Sequence, residues 1–121
     1  VDLVQRVASD LNVDNDRAIH GLGVVFLAVR MASDAKTFGD IAAAFPDVGA
    51  WMQKAPLSAR WTGEMLAMAT PRALKRILLN AGFKEEQVDA LCAGVGSAIR
   101  EEAGAEAYEL VAKKLPLLAD E

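Results

Sequence analysis

Cysteine and histidine each occur once in these 121 residues. A single cysteine, Cys92, excludes an internal disulfide and suits a reducing compartment. A single histidine, His20, has no second histidine or neighbouring cysteine to complete a zinc site, and no metal is expected. Long apolar runs are missing too. None reaches the roughly 18 residues that span a bilayer, because Arg17 and Arg30 bracket the longest one. No signal-peptide pattern is visible, so the expected location is cytoplasmic. Basic charge is in deficit: 13 Lys and Arg stand against 17 Asp and Glu, a net charge of −4. Residues 1–56 hold seven acids and five bases, and residues 57–121 hold ten and eight, so neither half is basic. Nucleic-acid binding through the phosphate backbone needs clustered Lys and Arg and is not expected. Phosphate loops, dinucleotide fingerprints and Ser/His/Asp orders are also missing. A non-catalytic protein without a cofactor is the expectation.

What is present is helical. Hydrophobic residues make up 53% of the chain, many of them alanine rather than valine or isoleucine. The stretch Asp14 to Ala32 places Ala18, Ile19, Leu22, Val25, Phe26 and Val29 at helical spacings. Val24, Leu27 and Met31 add apolar surface on other faces, which predicts a buried helix with Asp14 as its N-cap. Lys84 to Glu102 has the same character. Each of these helices carries two glycines, Gly21 and Gly23 in the first, Gly94 and Gly96 in the second. Glycine costs about 1 kcal/mol relative to alanine inside a helix, so close helix crossings are expected there, with Ala90, Gly94 and Ser97 forming one small-residue line.

Around these two lie shorter helices. Asp2 to Leu11 has Leu3, Val4, Val7 and Leu11 on one face, and Asn12-Val13 is the break after it. Thr37 is placed to cap Phe38 to Phe45, which Pro46 stops. Asp47 can cap Val48 to Lys54, ended by Ala55-Pro56, and Ser58 can cap Ala59 to Ala69. Thr70-Pro71 is a helix start with proline at N1, and Gly82 is the expected residue past its end. Ala105 to Leu115 is the last helix, following Gly104.

A shift of seventy positions lays residues 3–46 on 73–116 without a gap. Val25 meets Val95, Phe38 meets Tyr108, Ile41 meets Val111 and Pro46 meets Pro116. Apolar positions and breaks keep register although identities are few. The expected fold is therefore all-α, a single compact helical domain of six to eight helices. It consists of unit one (1–46), a middle segment (47–70) and unit two (71–121), the units being copies of one short-long-short helix pattern.

The entries into the long helices (Leu11-Asn12-Val13 with Ala18, and Ala81-Gly82-Phe83 with Glu85-Glu86-Gln87) and the helix ends Phe38 to Pro46 and Leu115-Pro116 carry a likeness. The chain resembles small all-helical bacterial families of unknown function, some built from two related three-helix units. The resemblance covers most of the chain and implies a fold and a bacterial cytosolic or envelope-associated source. It implies no catalytic residue, and the middle segment with both tryptophans departs from it.

The residues that could carry function are few. Asp16 and His20 stand four apart on one helix, two ligands where a site needs more. Asp10, Asn12, Asp14 and Asp16 begin like a calcium loop, but Asn15 occupies the glycine position and Gly21 that of the bidentate glutamate. Cys92 aligns with Leu22 on the core side, the setting of an inert thiol. Glu101, Glu102, Glu106 and Glu109 read as a solvated acidic face. Arg72, Lys75 and Arg76 form a small basic patch that could hold an anion. The strongest lead is the middle segment: Trp51, Met52, Trp61, Met65 and Met68 concentrate the adaptable and anchor-type side chains within eighteen residues. They either fill the space between the units or form a binding surface. The expected function is a protein-interaction or regulatory module of unknown partner. The alternative is a carrier of a small apolar ligand or lipid in a crevice between the units. Oligomeric state is open.

Overall fold

A computed structural model describes residues 3–54, 71–80, 82–115 and 118. Seven α-helices and no strand occur among them: α1 Leu3–Leu11, α2 Asn15–Ala32, α3 Ala35–Ala44, α4 Val48–Gln53, α5 Pro71–Asn80, α6 Glu85–Glu102 and α7 Ala105–Lys114. They pack around one core, as the apolar spacing requires. No described helix is long and apolar enough to cross a membrane. The helix expected after Ser58 lies outside the described residues.

Local chemistry accounts for the helix ends. Asp14 caps α2 by accepting the Arg17 amide at 2.8 Å. In α3 the cap is not Thr37. Asp34 accepts the Thr37 amide at 2.7 Å, the helix starts at Ala35, and Thr37 itself turns inward and is buried. Aspartate caps at least as well as threonine, so the earlier of two candidates wins. The same hydrogen bond holds the Asp34 carboxyl below its ordinary pKa. Proline at position 71 does open α5. Gly82, at φ 104°, ends it in the left-handed region, and Asn12, at φ 57°, ends α1 the same way. In both turns the next residue reaches back five positions: the Val13 amide to the Ala8 carbonyl at 3.0 Å, the Phe83 amide to Leu78 at 3.2 Å.

Adding seventy to the bounds of α2 gives those of α6, and adding seventy to those of α3 gives those of α7. The caps that follow agree: Phe45 has φ −125° and ψ 84°, Leu115 φ −124° and ψ 79°. The halves touch at equivalent positions. A Cβ on Gly21 would lie 2.8 Å from Leu91 Cδ2, and Leu91 is the residue seventy places on.

Each half also reaches across to finish the other. Helix α1 runs antiparallel along α6: Leu11 meets Gln87 near one end, Arg6 meets Glu101 near the other. Gln87 accepts the Lys84 amide at 2.8 Å to cap its own helix and donates to the Leu11 carbonyl at 3.1 Å, where α1 ends. Arg17, its equivalent in α2, lays its guanidinium against Gly82 at the end of α5 and 4.8 Å from the Phe83 ring centroid. Gln87→Ala is therefore expected to cost about 1 kcal/mol, read as a lower urea midpoint. An unchanged midpoint would show that this cross-connection contributes nothing.

The glycine expectation needs correction. Gly94 is not at a close crossing, since nothing lies within 4 Å of where its Cβ would be. The tight positions are Gly21, against Leu91 and Phe83, and Gly96, against the carbonyl of Leu118. Ala90 is exposed and Ser97 half-buried, so the small-residue line faces outward more than inward.

Candidate functional site

Trp51 sits on α4, the short helix that packs against α2. Its indole lies 5.7 Å from the Phe26 ring and 6.4 Å from Phe45, while Phe26 and Phe45 stand 5.4 Å apart, all three tilted. Only 7% of Trp51 is exposed. Met52 is half-buried against the same core. Trp61, Met65 and Met68 lie outside the described residues.

Trp51 is one of the residues lining a cleft of about 310 Å³. Its floor is apolar: Leu3 of α1, Phe45 at the end of α3, Trp51, and Ala98 of α6. Ala44 and Pro46 complete that side. The rim is charged. Arg6 and Glu101 pair across it at 3.4 Å, both well exposed, and Asp47 and Glu102 stand beside them. Among the described residues neither Asp47 nor Glu102 has a partner, and Asp47 makes no capping bond to α4 although it occupies the N-cap. Sequence reading had taken Glu101 and Glu102 as a solvated face and had not connected them with Arg6 or Asp47. Arg6 and Glu101 are 95 positions apart, and no local pattern joins them.

Other candidates are placed as follows. Lys75 donates to Glu85 at 2.8 Å, and that hydrogen bond raises the Lys75 pKa and lowers that of Glu85. Arg76 is exposed, and the side chain of Arg72 lies outside the described residues. The basic patch thus offers one described cation without a carboxylate at hand. His20 is half-buried, and no group of three His, Cys, Asp or Glu able to hold a metal occurs among the described residues. Burial pushes the Cys92 thiol up to about 12, so it stays protonated and unreactive near neutral pH. Two further hollows occur. One of about 450 Å³ lies where α1 and α6 meet, with Leu11 its one large apolar side chain. One of about 270 Å³ lies between α3 and α7, where Lys36, Asp40 and Glu106 surround the half-exposed Leu110. Neither contains an aromatic residue.

Comparison of the chain with protein-family models, with curated proteins and with solved structures finds no match.

Proposed function

We propose that this protein is a non-catalytic interaction module made of two copies of one three-helix unit, and that it engages a protein partner through the cleft beside Trp51. The observation that carries this reading is the cleft itself: an apolar floor with an indole edge, ringed by charge, where the two halves meet. Interfaces are built that way, with a hydrophobic centre and a polar rim, and tryptophan is a preferred anchor. A volume of about 310 Å³ is at the lower bound of small-molecule pockets, which begin at roughly 300 Å³. It suits one long side chain better than a lipid tail, and the charged rim disfavours the carrier alternative further.

The test is affinity capture from an extract with the full chain as bait, beside an Ala44→Arg variant. Ala44 is half-buried at the cleft wall, so a long side chain there fills the space without entering the core. A protein retained by the parent and lost from the variant supports the reading. Identical retention by both, or a lipid co-purifying with the parent, overturns it.

A further inference from the structure

We infer that the cleft beside Trp51 recognises a basic side chain, arginine or lysine, carried on an apolar segment of the partner. The inference rests on the interaction reading above and names the partner's chemistry.

Charge complementarity is the first argument. Among the described residues three carboxylates, Asp47, Glu101 and Glu102, and one guanidinium, Arg6, line the cleft, a net charge of about −2. Backbone dipoles leave that balance nearly unchanged. Helices α3 and α6 end here, at Ala44 and Glu102, and each C-terminus presents roughly half a negative charge. Helices α1 and α4 begin here, at Leu3 and at Val48 beside Asp47, and return as much positive charge. The sum stays negative, and Asp47 and Glu102 are unpaired among the described residues.

Shape is the second argument. A cation alone would need only the rim. The floor of Leu3, Phe45, Trp51 and Ala98 adds an apolar surface directly beneath it. Lysine and arginine match this combination, laying an apolar stem on such a surface while the charged head stays near water. Arg6 itself lines the cleft, and its guanidinium meets Glu101 at 3.4 Å. That pair is long and both side chains are substantially exposed, 40% and 58%, so the carboxylate is free to accept a shorter bond from an incoming guanidinium.

The experiment uses the full chain with Trp61→Phe, which leaves Trp51 as the sole indole. Two fluorescein-labelled twelve-residue amphipathic peptides are compared, identical except that one carries arginine and the other glutamate at its polar positions. Spermidine serves as a small cation. The arginine peptide is expected to bind, to change Trp51 emission, and to weaken about tenfold or more when Glu101→Gln and Glu102→Gln are combined or when Asp47→Asn is made. These side chains are exposed, and circular dichroism checks that each variant keeps its helix. Loss of binding on raising salt is expected as well. Equal or tighter binding of the glutamate peptide at the cleft overturns the basic partner while leaving an interaction cleft standing. Spermidine that binds as tightly and changes Trp51 emission equally overturns the peptide in favour of a small cation. Binding of the arginine peptide that no cleft variant weakens overturns the site. No binding by either peptide, together with retention of a partner sensitive to Ala44→Arg, overturns the basic chemistry alone. No binding and no such partner overturns both readings.

Discussion

Trp51→Ala is expected to lower the unfolding free energy by about 3–5 kcal/mol, the range for removing a large aromatic from a core. The reason is that Trp51 is nearly dry and is one of three mutually packed rings. Truncation leaves Phe26 and Phe45 facing a void on one side. Phe26 is fully buried in the middle of α2 and cannot swing out to fill it. Helix α4 has six residues and holds its place chiefly through Val48 and Trp51, its two buried side chains, since a helix of that length is not stable by itself. Losing the indole therefore also loosens α4 from α2. Domains of this size are stable by about 5–15 kcal/mol in all, so the loss is a large share of the total. Urea melts followed by circular dichroism read the effect, and Trp51→Phe should fall between parent and alanine. A loss under about 1 kcal/mol for Trp51→Ala would mean that the three-ring cluster does not hold α4.

The second large effect concerns two glycines on one helix, with opposite signs. Gly96→Val is expected to destabilise by about 1–3 kcal/mol through overpacking. A Cβ at position 96 would run into the backbone carbonyl of Leu118, and backbone yields less readily than the end of a side chain. Leu118 is fully buried, and its amide is tied to the Leu115 carbonyl at 3.0 Å, so relief would have to pull a buried leucine from the core. Gly94→Ala, two residues earlier, meets nothing within 4 Å. It should stabilise by up to about 1 kcal/mol, the difference in helix propensity. Parallel thermal melts of the two variants decide the matter. A stabilised Gly96→Val would mean that Leu118 does not seat on α6, and a destabilised Gly94→Ala that position 94 is not open.

These two cases mark where sequence reading succeeds and where it stops. The described helices were legible to within three residues, because periodicity, caps and breaks act over a few positions of chain: Asp14, Pro71, Gly82 and Gly104 punctuate the structure as expected. The bounds of α2 and α6 differ by seventy, as do those of α3 and α7. The burial of Cys92 followed from its alignment with Leu22. Even locally, though, the cap expected at Thr37 is made by Asp34 instead, and Thr37 is buried.

Tertiary structure alone decided the rest. Gly94 and Gly96 are the same residue on the same helix, and only the rotation of α6 against its neighbours makes one open and the other closed. The neighbour that closes Gly96 comes from a turn beyond α7. Trp51 read equally well as anchor or filler, because an indole suits a core and an interface alike; its burial was set by how α4 lies on α2. The cleft is the clearest case. Arg6, Phe45, Asp47, Trp51 and Glu101 come from three helices and the turn between α3 and α4. Their common charge and floor exist only once α1 lies along α6, a placement held by side chains that local sequence pattern cannot pair.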